Sequence, residues 1–179
     1  MAYPSGLPAA LRPHWDAPWT SAAAGSSAFR SWLHQHGYLS PHFTKAEARC
    51  KDGTPVPLSL ESKARDHAFR LEQVRHKLGD HPLRAISWYR TPAYNRRIGG
   101  ARASRHMQAD ATDFSREFVE SIGRSRFMAA VYSVFRLHGI GTYPWGAVHC
   151  DSRPYPARWN DWLRRLPLRP RSFDSQDVC

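Results

Sequence analysis

Two histidines and a carboxylate in this chain are spaced so that one metal ion could gather them. They stand in Ser104-Arg105-His106-Met107-Gln108-Ala109-Asp110-Ala111-Thr112-Asp113 and in His149-Cys150-Asp151. Imidazole and carboxylate donors without thiolates suit Zn²⁺. Three protein ligands leave a fourth position for water, the arrangement of a catalytic rather than a structural site. His106, Asp113 and His149 are therefore the candidate ligands. Asp110, at i+4 from His106, would take over from Asp113 only in a helix. Ala111-Thr112-Asp113-Phe114 has strand character, so a loop-to-strand passage must bring His106 and Asp113 together. In a chain with 10 histidines and 15 acidic residues such pairs also arise by chance, and the flanking residues decide.

Those flanks are Ser87-Trp88-Tyr89-Arg90-Thr91-Pro92-Ala93-Tyr94-Asn95, then Gly139-Ile140-Gly141-Thr142-Tyr143-Pro144, then Arg153-Pro154-Tyr155-Pro156-Ala157-Arg158-Trp159. In this order they resemble the zinc D-Ala-D-Ala carboxypeptidase family of peptidoglycan peptidases, in its compact C-terminal-domain branch. Its members read approximately S-G-Y-R-S-P-x-Y-N, S-x-H-x-x-G-x-A-x-D, G-x-Y-P…V-H-x-D-x-R and A-R-W. The likeness runs from about Leu39 to Trp159. It implies a hedgehog/DD-peptidase-like α+β fold, zinc held by His106, Asp113 and His149, and hydrolysis of peptide bonds in peptidoglycan stem peptides. It also implies that Arg90 faces the scissile carbonyl, where a fixed cation would stabilise the oxyanion. Tyr89 and Ser104 would bind substrate, although Ser104 could equally cap the His106 loop.

Two positions depart from the family pattern. Ala109 stands where the family has glycine. Gly146 stands three residues before the last histidine, where better-understood branches carry the Glu or Asp that acts as general base. Asp151 is the substitute, since on a strand His149 and Asp151 share a face. It would act either as general base or as the partner that orients a histidine ligand; the sequence leaves both open. Cys150, between them, points to the opposite face and reads as a small buried hydrophobe.

The elements that position these residues follow from periodicity and punctuation. Phe29, Trp32 and Leu33 predict a short amphipathic helix over residues 27–36, stopped by Gly37. Thr44 and Glu47 predict a capping box opening a short helix. Leu60, Ala64, Ala68, Leu71, Val74 and Leu78 trace a helical stripe with Ser59 as N-cap and Gly79 as stop. Strands are expected over 82–88, 111–114 and 148–152. Ser115 caps a helical region with Phe118, Ile122, Phe127, Ala130, Val131, Val134 and Phe135 inward, divided at Gly123. A short helix is expected over 159–166. Strands and helices do not alternate as βαβ units, so the class is α+β with a small antiparallel sheet. The organisation reads as an N-terminal arm and short helix (1–38), a peptidase domain (39–166) and a basic Pro/Arg-rich tail (167–179). Residues 1–22 form an extended arm or a surface-packed leader.

The 179 residues, 41% hydrophobic, suit one substantial core, and no run is long enough to span a bilayer. Three cysteines at irregular spacing make no disulfide framework. The formal charge of +11 tolerates an anionic partner: nucleic acid, or the anionic polymers of a bacterial wall. Nucleic acid ranks last, since no reader motif accompanies the charge. The first eight residues lack the basic start and apolar stretch of a secretory signal. A wall peptidase of this kind would reach its substrate as a phage lysis protein or as a virion component among other virion proteins, and a chain that has lost its leader fits as well. The alternative reading is a virion structural or wall-binding protein with a peptidase-like fold and little catalysis.

Overall fold

The computed structural model describes residues 3–17 and 26–160. A single 3-10 turn (Ala9–Leu11) leads into α1 (Arg12–Asp16), and α2 (Ser27–Gln35) follows, capped by Ser26, whose Oγ accepts from the Phe29 amide at 3.2 Å. Phe29, Trp32 and Leu33 are buried with Leu7, Trp15 and Phe69. Trp15 meets Phe29, Trp32 and Tyr38 edge-on, the favoured geometry for aromatic quadrupoles. The opening segment is thus packed onto the body, the second of its two expected forms; residues 18–22 lie outside the described residues.

β1 (Tyr38–Ser40) and β2 (Phe43–Thr44) form a hairpin. Next to it the capping box makes its bonds: Glu47 Oε2 accepts from the Thr44 amide and hydroxyl, both at 2.8 Å, and Thr44 Oγ1 accepts from the Glu47 amide at 3.2 Å. The expected helix does not follow, and residues 45–48 stay a turn. Its continuation is stopped by a turn in which Asp52 Oδ1 accepts from the Thr54 amide and Gly53 takes φ +91°, a device that competes with helix formation.

α3 (Leu58–Lys77) buries Ala64, Ala68, Leu71 and Val74, with Leu78 just beyond its end, while Leu60 packs at the margin. Its N-cap is Pro57 rather than Ser59, so Ser59 lies inside the first turn. β3 (Ala85–Ser87) is shorter than the expected strand over 82–88. Pro82 has no N–H to offer a ladder, and at the other end the Tyr89 N–H turns away to the Ala48 carbonyl. Then come α4 (Pro92–Arg97), a 3-10 turn (Arg105–Gln108), β4 (Ala111–Phe114), α5 (Arg116–Ile122), α6 (Arg124–Phe135), β5 (Gly139–Thr142), β6 (Val148–Asp151) and β7 (Ala157–Asn160). Ser115 caps α5 through the Phe118 amide, and Gly123, at φ +90°, divides α5 from α6 as expected. Trp159 and Asn160 belong to strand β7, which corrects the helix expected over 159–166; residues 161–166 and the 167–179 tail lie outside the described residues.

The class is α+β. The main sheet runs β3-β4-β6-β5-β7, antiparallel except for the parallel edge pair β5–β7. Period-2 alternation gives it two different faces. Phe114, Val148, Cys150 and Ile140 join the main core with Ala68, Leu71, Phe127 and Phe135 of α3 and α6. Fully burying the Phe, Val, Leu and Ile side chains among them stabilises the fold by about 1.5–3 kcal/mol each. The other face carries the candidate site. No described helix is long and apolar enough to cross a membrane.

Candidate metal centre

One transverse row crosses all five strands. In register, Ser87 stands beside Asp113, Asp113 beside His149, His149 beside Gly141 and Gly141 beside Trp159. Neighbours in such a row are one strand spacing apart, so their side chains meet. The next row holds Ala111, Asp151, Gly139 and Ala157. His106 comes from outside the sheet, on the 3-10 turn.

That turn is closed by Ala109 at φ 59°, ψ 16°. A side chain with a β-carbon is disfavoured there by about 1–2 kcal/mol. The alanine therefore keeps the conformation that a glycine would take freely, and the turn is held by Trp88, whose Nε1–H donates to the Ala109 carbonyl at 2.8 Å. Ser104 is buried at the N-cap position, and its side chain makes no cap bond to the turn.

His106 Nε2 lies 3.1 Å from Asp113 Oδ2 and 3.2 Å from His149 Nδ1, while His149 Nδ1 lies 2.8 Å from Asp113 Oδ1. Ligands about 2.0–2.2 Å from a tetrahedral centre stand roughly 3.3–3.6 Å apart, so these separations, each nitrogen measured to a different Asp113 oxygen, fall slightly short of the edges of such a polyhedron. The distal ring edges fix which nitrogens point inward. His106 Nδ1 is 2.6 Å from the Trp88 carbonyl, which can only accept, so Nδ1 carries the proton and Nε2 presents its lone pair. His149 Nε2 is held by Asp151 Oδ2 at 3.0 Å, which leaves Nδ1 for the centre. Donor types, spacing and tautomers all fit a metal ion.

Electrostatics agree. Burial lowers the pKa of His106, against the pull of Asp113. Burial alone would raise Asp113, but His106 and His149 hold it well below the usual carboxylate range. His149 also resists ionisation through burial, yet its two carboxylate neighbours, Asp113 and Asp151, raise it to about 10. Its Nδ1 proton stands where a cation would bind, and a cation taken up there displaces it.

Arg90 reaches the same carboxylate. Its Nη2 donates to Asp113 Oδ2 at 2.7 Å, its Nε to Ser87 Oγ at 3.0 Å, and its amide to the His106 carbonyl at 3.1 Å. Its Nη1 is buried with no hydrogen-bond partner among the described residues. Buried polar groups are ordinarily paired, and this unpaired donor stands beside the three candidate ligands.

Asp151 is completely buried. Oδ1 accepts from the Arg153 amide at 3.0 Å and from Arg153 Nε at 2.8 Å; Oδ2 accepts from Arg153 Nη2 at 2.7 Å and faces His149 Nε2. Burial would raise its pKa, but His149 and Arg153 press it far below the usual range. The carboxylate leans over Gly139, where a Cβ would stand 2.0 Å from Oδ2. Gly139 is thus part of the site, and only the Gly-Ile-Gly run hinted at it.

The other sequence candidates fall differently. Asp110 pairs with Arg105 through both carboxylate oxygens, away from the triad. Tyr89 packs in the main core, its phenol raised by burial and by nearby Cys50 and Asp52. Cys150 faces the core with its Sγ 3.4 Å from Thr112 Oγ1. Sequence reasoning passed over Tyr143, whose hydroxyl donates to Asp113 Oδ1 at 3.3 Å and whose ring stacks on Trp145 at 4.6 Å. Its motif had been visible, but not the direction of its hydroxyl.

Gly146 is more than a missing carboxylate. It sits at φ +93° in the turn joining β5 to β6, its amide donating to the Tyr143 carbonyl at 2.9 Å and its carbonyl accepting from Arg124 Nη1 at 2.8 Å. A Cβ there would stand 2.8 Å from Cγ and Cδ of Arg116. The local backbone is one that an acidic residue would occupy only under strain.

No curated protein matches the chain. The family model described as Peptidase M15 matches residues 41–151, a span that begins before β2 and ends at Asp151 and so contains the triad, Arg90 and the strands that carry them. This chain belongs to the Peptidase M15 family, a family of metallopeptidases.

Proposed function

We propose that the protein is a zinc peptidase that hydrolyses peptide bonds in peptidoglycan stem peptides, as a carboxypeptidase or an endopeptidase acting at the bacterial cell wall. The observation that carries this reading is the convergence of His106 Nε2, Asp113 and His149 Nδ1 on one point, with the unpaired Nη1 of Arg90 beside it. When bound there, zinc would supply a Lewis acid and lower the pKa of its water towards about 7. His106, Asp113 and His149 would hold it. Arg90 Nη1 would donate to the scissile carbonyl oxygen as negative charge builds on it, while Nη2 stays on Asp113 and keeps the guanidinium from swinging away. The Tyr143 hydroxyl, donating to Asp113 Oδ1, would temper that carboxylate's charge and fix its orientation.

For Asp151 the geometry supports orienting over proton transfer. Its oxygens are engaged by Arg153 and by the outer edge of His149, as in carboxylate–histidine–metal arrangements. Ser104 remains a proposed substrate contact beside His106.

Gly146 favours a second reading, a wall-binding protein with a peptidase fold and little turnover, because the position of the usual base neither has nor readily accepts a carboxylate. Digestion of purified sacculi, with and without chelator, followed by mass spectrometry of the released muropeptides, separates the two. Chelator-sensitive cleavage of stem peptides is expected; sacculi that bind the protein and stay intact at every metal and pH condition would establish the second reading.

A further inference from the structure

Trp159 ends the transverse row, and among the described residues its Nε1–H is buried with no acceptor. The residue is only 5% exposed. An indole nitrogen can only donate, and a buried donor without an acceptor is disfavoured in a finished fold. The ring's placement is built into the sheet. A Cβ on Gly141 would stand 2.0 Å from Cε2 and 2.3 Å from Nε1 of Trp159, so the pyrrole edge of the indole occupies the space that glycine leaves. That brings the ring next to His149, 4.9 Å between centroids, while the Arg153 guanidinium lies 5.3 Å from the indole and backs it. Trp159 therefore faces the triad from the β7 side as Arg90 faces it from the β3 side, each with a buried donor to spare.

We propose that Trp159 is a substrate-binding residue whose Nε1–H donates to an sp² oxygen, carbonyl or carboxylate, of the peptide lying across the metal centre. This rests on the peptidase reading above. Arg90 addresses the oxygen on which charge develops; Trp159 addresses a second oxygen of the same peptide and sets how it lies along the row. An indole does not ionise near neutral pH and can only donate, so its contribution is binding rather than proton transfer.

The test compares the zinc-loaded protein with Trp159→Phe on acetyl-lysyl-D-alanyl-D-alanine and on its C-terminal amide. Zinc content and thermal midpoint of the variant establish that the site is intact. Loss of a donor to a bound oxygen should raise KM about tenfold with kcat within about twofold. A penalty seen on the acid but not the amide assigns the acceptor to the terminal carboxylate; an equal penalty on both assigns it to a backbone carbonyl. Independently of the variant's kinetics, one indole ¹H–¹⁵N resonance of the unmutated protein, identified by its absence in Trp159→Phe, should move saturably as the peptide is added. Unchanged KM, or a Trp159 resonance that stays still while the peptide is hydrolysed, overturns the assignment and leaves the peptidase reading standing. Failure of the unmutated zinc protein to cleave or bind any stem peptide overturns both.

Discussion

His149 is gripped on both edges of its ring, with Asp113 Oδ1 2.8 Å from Nδ1 and Asp151 Oδ2 3.0 Å from Nε2. One carboxylate is a fellow ligand candidate and the other a proposed brace, and the two readings lead to different experiments.

Asp151→Asn keeps the size of the brace and removes its charge. The expected result is zinc bound about ten- to a hundredfold more weakly, with activity recovered in excess metal, as for partners of metal-ligating histidines. Zinc competition against a chelating dye, paired with turnover at saturating zinc, checks this. A rate loss that excess zinc leaves untouched would return Asp151 to the role of base.

His106→Ala, Asp113→Ala and His149→Ala should each abolish stoichiometric zinc binding, because the metal couples to all three ligands at once. Elemental analysis of purified variants measures it. A His106→Ala protein still holding one zinc per chain would remove His106 from the ligand set.

Arg90→Ala should retain zinc and lose turnover by roughly a hundredfold or more, the usual consequence of losing an oxyanion donor. Arg90→Lys should recover little, since an ammonium cannot keep Asp113, Ser87 and the substrate oxygen satisfied together as the planar fork does. Equal kcat/KM in Arg90→Ala and the unmutated protein would make the residue a brace for Asp113.

His67 gives a pH prediction away from the metal. It is fully buried beneath the sheet, Nδ1 2.8 Å from Ser152 Oγ and Nε2 3.1 Å from Thr112 Oγ1, and burial holds its pKa well below the ordinary histidine value. Above about pH 6.5 both folded and unfolded chains carry it neutral. Below that the unfolded chain takes up a proton that the buried ring refuses, so stability falls as pH drops, by at most about 1.4 kcal/mol per pH unit for one proton. Urea unfolding between pH 7 and 5 should show the slope, and His67→Gln should flatten it. An unchanged slope in that variant would refute the assignment.

What could be read from the sequence follows the kind of information each feature needs. His106, Asp113, His149 and Arg90 are legible because their types and order are chemical, and the long stripe of α3 because burial alone writes it. β5 and β7 are hidden. Gly139-Ile140-Gly141 has little strand propensity, and its glycines make sense only when Asp151 and Trp159 are seen filling the space above them. Thr44 and Glu47 mislead because a capping box binds the same amides in a lone turn as in a helix. The role of Asp151 depended on which edge of one ring it meets, and spacing says nothing of that.

Because two of the three candidate ligands sit on paired strands whose reverse face is the apolar core, the centre is tied to the sheet's registration. Slipping β6 by one residue against β4 would turn His149 and Asp151 into the space now filled by Val148 and Cys150, and would present a thiol where the imidazole stood. A mispaired intermediate thus offers no weakened version of the centre, only a charged core. An ion held by all three would make its capture and correct pairing one cooperative event, and would act as an inspector of the fold it completes.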